Sequence, residues 1–226
     1  MKSIKKYETI INEALRSALE YDTPEGQINE FISFFGKHIG SDRIYIFEDD
    51  EEHHVTNNTY EWCAEGITPQ IEHLQGVNME VIDWWYDTFD EGKSVIISDV
   101  EELKGVHQIS YNMLKYQNVR KVVVSPLRHK GQIKGFFGVD NPPAVDYNAL
   151  TMFLDMIGTM LISLLKIRNT FQKEQYNASM SSYSALSEIY LSMHLIDIKT
   201  GKYEQIKNGF TEGLGKLIID RELRIS

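Results

Sequence analysis

The most restrictive stretch of the sequence is a pair of apolar runs with a glycine-bearing break between them. Lys121 to Arg128 (KVVVSPLR) and Gln132 to Val139 (QIKGFFGV) are rich in the β-branched and aromatic residues that suit strands. His129-Lys130-Gly131 separates them, and glycine supplies the positive φ that a tight hairpin needs. Pro126 removes one ladder donor, which predicts an edge or a bulge. Gly135 and Gly138 permit close approach of backbone or helix, and Pro142-Pro143 ends the second strand.

Around this hairpin the apolar period changes several times. Tyr7, Ile10, Ile11, Ala14, Leu15 and Ala18 recur at helical spacing. A second helix is predicted from Thr23 as N-cap and Pro24 as first helical residue, where a missing N–H costs nothing. Its stripe is Ile28, Phe31, Ile32, Phe35 and Ile39, with Gly40 as stop. Strands follow at Arg43 to Glu48 and Val55 to Cys63, divided by an acidic turn, Asp49-Asp50-Glu51-Glu52. A loop from Glu65 to Asn78 leads to a helix over Met79 to Phe89. Lys93 to Ser98 reads as a short strand, and His107 to Gln117 as a short helix or lid-like loop.

From Tyr147 to about Gln175 the pattern is one long helix. Leu150, Leu154, Ile157, Leu161, Leu164, Arg168 and Phe171 alternate spacings of four and three, as a coiled-coil seam does, and the first five are read as a dimer interface. Phe153, Met156 and Met160 make a second apolar face, which could take the helix's own sheet. The alternative is one broad face buried in a single core. After a Ser-rich link (Ser179 to Ser187), Ile189 to Ile198 and Lys202 to Ile206 read as another hairpin. The expected parts are an N-terminal helix (1–22), a main domain with its exit helix (23–170), and a linker with a partial hairpin domain (171–226).

Composition removes several functions. With 42% hydrophobic and 25% charged residues the chain is globular in type, and its net charge of −10 repels phosphate backbones, so no nucleic acid is expected as partner. Cys63 is the single cysteine, which excludes an internal disulfide and a multi-cysteine zinc site and fits a reducing compartment. MKSIKKYETI lacks the apolar run of a secretory signal. Ala149 to Leu165 is short and polar for a membrane span. A cytoplasmic, membrane-free chain is expected.

Several runs resemble the GAF domains of bacterial signalling proteins that carry diguanylate cyclase domains. They are Asn58 to Ile67 (NTYEWCAEGI) with Pro69-Gln70-Ile71, Ser125-Pro126-Leu127, Gly135 to Pro142 (GFFGVDNP), and Leu164 to Asn169 (LLKIRN). The resemblance covers roughly residues 23 to 170. It implies an α+β fold: a central antiparallel sheet with the N- and C-terminal helices on one face and crossover segments on the other. It also implies a non-catalytic sensory role, in which a small molecule or a relayed signal acts through paired helices on an output domain outside this chain. Tyr190 to Asp197 resembles the opening strands of a PAS-type domain. The Asn-Lys-x-x-Phe-x-x-x-Asp-Glu run of cyclic-nucleotide-binding GAF domains is missing. So are the cooperating cysteines of the sulfoxide-reducing GAF enzymes, the neighbours of a bilin-attaching cysteine, and the cyclase signature.

Other constellations are weak. His53 and His54 adjoin the acidic turn, but neighbouring strand residues face opposite ways, so no metal site is expected. Gly-x-Ser-x-Gly, P-loop and His-Glu-x-x-His motifs do not occur, and no catalytic residue is assigned. The aromatic residues Tyr60, Trp62, Trp85, Tyr111 and Phe136 could line a pocket between sheet and crossover, with Asp99 and His107 adding polarity. The cofactor is unknown. The rival readings are a structural dimerisation module with a filled core and an enzyme with an unrecognised site.

Overall fold

The computed structural model describes residues 2–143, 146–187, 192–196 and 203–208. The chain divides into two compact units, Met1–Arg168 and Asn169–Ser226. The first opens with helices α1 (Lys2–Ala18) and α2 (Pro24–Ile39). Thr23 caps α2 as its sequence predicts: Thr23 Oγ1 accepts from the Gly26 N–H at 3.1 Å, and Gly40, at φ 78°, closes the other end. The N-terminal helix segment belongs to this unit. Tyr7, Ile10, Ile11 and Ala14 are buried in the same core as α2, and the Tyr7 ring lies 5.5 Å from Phe153.

Six strands form one antiparallel sheet: β1 (Arg43–Asp50), β2 (Val55–Cys63), β3 (Val77–Asn78), β4 (Val95–Ile97), β5 (Val122–His129) and β6 (Gln132–Asp140), in the order β3-β2-β1-β6-β5-β4. The β5–β6 turn puts Lys130 and Gly131 at φ 50° and 81°, the mirror-image geometry that matches strand twist. The register shifts between Pro126 and Arg128, the irregularity that the proline predicts. β1 runs to Asp50, so the first two acidic residues are strand and the turn falls on residues 51–54. His53 and His54 therefore sit in a turn, where Asp50 Oδ2 holds His53 Nδ1 at 2.8 Å.

Crossover segments cover one face of the sheet. A 3₁₀ turn over Met79–Ile82 precedes α3 (Asp83–Asp90), which shortens the helix expected from Met79. Another 3₁₀ turn (Val100–Leu103) leads to α4 (Gln108–Tyr116). The other face carries α1, α2 and the start of α5 (Tyr147–Ser187), which runs through the serine-rich stretch expected to be a link. The α+β architecture is as the sequence implies.

Two cores result. Ile44, Ile46, Tyr60, Val123, Phe137 and Val139 face the helices, while Tyr45, Phe47, Val122, Val124 and Phe136 face the crossovers. A sheet covered on both sides needs apolar side chains at consecutive positions, which is why Val122-Val123-Val124 and Phe136-Phe137 occur as runs.

The dimer seam read from α5 is corrected here. Leu150, Leu154, Ile157 and Leu161 are at most 1% exposed, packed on the chain's own sheet and helices, and Leu164 is partly buried against the same core. Two apolar faces on one helix look alike in sequence, and the sheet took the seam. Phe153 of the second face is buried in the same core and Met160 packs against it, as the alternative of one broad buried face has it, while Met152 and Met156, each 52% exposed, and Ile167, 55%, stay open. α5 is long and apolar enough to cross a membrane by length and composition, but Leu150, Leu154, Ile157 and Leu161 meet protein in this fold.

In the second unit, β7 (Ser192–Ile196) pairs antiparallel with β8 (Tyr203–Asn208). The start of the expected hairpin (188–191), its turn with the flanking residues (197–202), and residues 209–226 lie outside the described residues.

Candidate functional site

Side-chain parity along β1 builds the site. Arg43, Tyr45 and Phe47 point to the crossover face, and β6 sets Asp140 opposite Arg43, Gly138 opposite Tyr45 and Phe136 opposite Phe47. The Phe47 and Phe136 rings stack at 4.7 Å, and Trp85 of α3 meets Phe136 edge-on at 5.5 Å. Gly138 makes room for Tyr45: a Cβ there would come within 2.1 Å of its ring. Between these rings and the crossover residues Ile82, Met113 and Leu114 lies a cavity of about 40 Å³, space for a few water molecules.

One end of the cavity is charged. Arg43 Nη1 donates to Asp140 Oδ2 at 2.9 Å and to Gln117 Oε1 at 3.1 Å, and Nη2 donates to the Thr68 carbonyl at 3.0 Å. Arg43 Nε stands 3.3 Å from Glu61 Oε1, an ion pair without an aligned hydrogen bond. Glu61 Oε2 accepts from the N–H groups of Gln70 and Ile71, at 2.7 and 3.1 Å. Arg43 and Glu61 thus pin the loop between β2 and β3 over the cavity. Arg43, Glu61 and Asp140 side chains are all at least 96% buried. One guanidinium therefore serves two carboxylates. Burial pushes the Asp140 carboxyl up to about 7, against the pull of Arg43. Burial, followed by the Asp140 charge, also raises the Tyr45 hydroxyl well above its usual range.

Of the residues expected at a pocket, Trp85 and Phe136 line this cavity. Tyr60 and Trp62 share a face as predicted, but it is the opposite one. Ile46 pairs with Tyr60 and Ile44 with Trp62, so both rings lie in the helical layer. Trp62 packs on Gly36 of α2, where a Cβ would come within 2.3 Å of the indole. Parity along β2 fixes which residues go together, but the layer behind them decides which face is the pocket. Asp99, His107 and Tyr111 belong to the crossover shell. Asp99 caps a 3₁₀ turn by accepting from the Glu101 N–H at 3.0 Å, His107 stacks on Trp84 at 4.3 Å, and the Tyr111 hydroxyl donates to Glu101 at 3.2 Å. Sequence reasoning missed Arg43, Glu61 and Asp140. Arg43 opens β1 and Asp140 closes β6, but Glu61 lies inside the polar β2, so no shared pattern marks the three. A more open groove of about 230 Å³ lies between α5 and β5, but it is polar, and its Arg128 already donates to the Phe89 carbonyl.

No family model matches the sequence, and no curated protein matches it. Solved structures do match. A far-red-absorbing dark-state protein with bound biliverdin IXα aligns with a TM-score of 0.58 at 12% identity, over 71% of this chain and 99% of its own. The GAF domain of an Acinetobacter phosphoenolpyruvate-protein phosphotransferase gives 0.55 at 10% identity, over 74% and 97%. The free methionine-R-sulfoxide reductase of Neisseria meningitidis, solved with its substrate, gives 0.55 at 12%, over 74% and 92%. The fold is that of a GAF domain.

In this GAF fold Cys63 ends β2, half-buried, with its thiol pushed up by burial and by Glu61. Such a thiol is a poor nucleophile. The raised Asp140 carboxyl has a measurable consequence. Its folded value lies above the ordinary value near 3.9, so the native GAF fold binds more protons than the unfolded chain between about pH 4 and 7. Its contribution to stability is lost as pH rises through that window. The melting temperature of Asp140→Asn minus that of the wild type should grow between pH 5 and pH 8, by about 3 °C or more, equivalent to ~1 kcal/mol. A gap that stays flat would mean that Asp140 titrates as an ordinary carboxylate.

Proposed function

We propose that this chain is a non-catalytic sensory module of bacterial signal transduction. A small molecule enters the β1–β6 cavity, and its occupancy biases α5, which acts as a helix of a cytoplasmic homodimer on an output domain such as a diguanylate cyclase. The observation that carries this reading is the double duty of β1. Arg43, Tyr45 and Phe47 present themselves to the cavity, and Glu48, the next residue, holds Arg168 of α5 through two hydrogen bonds of 2.8 and 2.7 Å. Arg168 also donates to the Tyr60 hydroxyl at 3.1 Å. A ligand that moves Phe47 must move the strand that carries Glu48, and the end of the first unit is tied to that carboxylate. A ligand acts only if it prefers one arrangement of these contacts over the other. For pairing, the exposed Met152, Met156 and Ile167 replace the buried seam.

The small volume of the cavity, about 40 Å³, favours a second reading, a filled structural module that only relays strain. It is also too small for a bilin without rearrangement. A thermal-shift screen against nucleotides, amino acids, haem and small aromatic metabolites decides between the two. Under the sensory reading at least one class raises the melting temperature. Glu48→Gln then keeps that rise but loses ligand-dependent change in hydrogen exchange around Ile167. A screen without hits supports the filled module, and steady turnover of any compound would defeat both.

A further inference from the structure

Strand β4 pairs with β5 only as far as Val95 opposite Val124, so beyond Val124 that edge of β5 has no strand beside it among the described residues. The space left there is a groove of about 230 Å³, bounded by Pro126 and Arg128 of β5, by Gly92, and by Asp155, Gly158 and Thr159 of α5. It has the volume of about eight water molecules. Two opposite charges line it without meeting. Arg128, half-buried, gives Nη2 to the Phe89 carbonyl and makes no ion pair among the described residues. Asp155, exposed, accepts one long hydrogen bond, from Ser94 Oγ to Oδ1 at 3.4 Å, which leaves Oδ2 without a partner among the described residues. Gly158 is an independent sign. It lies inside a helix, where glycine is a poor choice. A Cβ there would stand 3.4 Å from Leu127 Cδ2 and 3.6 Å from the Pro126 carbonyl oxygen, ordinary contact distances. Packing has room for a methyl group from which the helix would gain, and its absence keeps the groove wide.

We propose that this groove is a second ligand site, separate from the β1–β6 cavity, and that it takes a small zwitterion of the amino-acid class. The ligand's carboxylate meets Arg128 and its ammonium meets Asp155. A simple anion would satisfy Arg128 but meet Asp155 as a like charge, and a simple cation would do the reverse. Thr159 Oγ1 donates its proton to the Asp155 carbonyl at 3.2 Å, so toward a ligand it offers only lone pairs, which suit an ammonium. The groove is open to water, so charge pairing rather than apolar burial supplies the affinity, and added salt weakens it. An occupant bridges the free edge of β5 to α5.

The test titrates four probes into the ¹⁵N-labelled full chain at low salt and pH 7.5, and follows the amide shifts of Gly158 and Thr159. L-Alanine and 4-aminobutyrate are zwitterions of two charge spacings, and butyrate and butylamine carry one charge each. At least one zwitterion should bind about fivefold more tightly than both singly charged probes, the upper worth of an exposed ion pair. Asp155→Asn should bring that zwitterion down to the level of butyrate, and Arg128→Met should weaken it about tenfold. Gly158→Ala should raise the melting temperature by about 2–4 °C through helix propensity and yet weaken the zwitterion. Should Arg128→Met fail to fold, the exposed Asp155→Asn still decides. Butyrate binding as tightly as either zwitterion would overturn the inference, because Arg128 would then take any carboxylate. So would the lack of saturable shifts at Gly158 and Thr159. An amino-acid hit in the wider screen that survives Asp155→Asn belongs to the β1–β6 cavity, which overturns this site and leaves the sensory reading standing.

Discussion

Glutamates at Ile157 and Leu161 should unfold the first unit rather than separate two copies of it. On the sequence alone these residues mark a dimer seam, and the double substitution would then give folded monomers. In the structure they are 1% and 0% exposed, beneath the sheet. A lone buried carboxylate costs several kcal/mol unless it takes up a proton, and two of them approach the ~5–15 kcal/mol that holds a whole domain together. Far-UV circular dichroism at pH 7.5 should show a largely unfolded chain. The matched control, Met152→Glu with Met156→Glu, places the same charges on the exposed face of α5. It should keep the fold and remove any self-association seen by light scattering. A folded monomer from the Ile157 and Leu161 pair would restore the original seam.

Arg43→Met should be nearly as damaging, and its damage should depend on pH. The substitution keeps most of the side chain's volume but leaves Glu61 and Asp140 buried without their cation. Removing one member of a buried ion pair typically costs about 3–5 kcal/mol, and here the Thr68 and Gln117 contacts go too. Without the pull of Arg43 the Asp140 carboxyl should rise further. The native state then binds more protons than the unfolded chain, and stability returns as the pH is lowered. Urea midpoints should therefore lie far below wild type at pH 7.5 and recover in part at pH 5.5. An equal loss at both pH values would mean that packing and loop contacts, rather than charge, explain the defect.

The two reversals have one source. Periodicity in the sequence identified every strand of the hairpin core and both caps of α2, because Thr23, Pro24, Gly40 and the Lys130-Gly131 turn act locally. It also identified that Tyr60 and Trp62 share a face. What it could not supply was the partner of that face. Trp62 lies in the helical layer because α2 offers Gly36 beneath it, and Leu154 is core because the sheet lies under α5. These are long-range facts, unmarked in the neighbouring residues. The charged end of the cavity was hidden for a different reason. Arg43, Glu61 and Asp140 come from three separate strands, and nothing in their spacing announces that one arginine serves both acids.

The alternating parity of β1 has a consequence for how a chain like this can change over time. Arg43, Tyr45 and Phe47 belong to one chamber and Ile44, Ile46 and Glu48 to the other, and neither set fills space for its counterpart. Substitutions at Tyr45 and Phe47 change the cavity wall without touching the helical layer, and those at Ile44 and Ile46 change the helical layer without touching the cavity. Only displacement of the strand as a whole is shared. Under the sensory reading proposed above, the cavity wall is free to change while the tie from Glu48 to Arg168 stays intact.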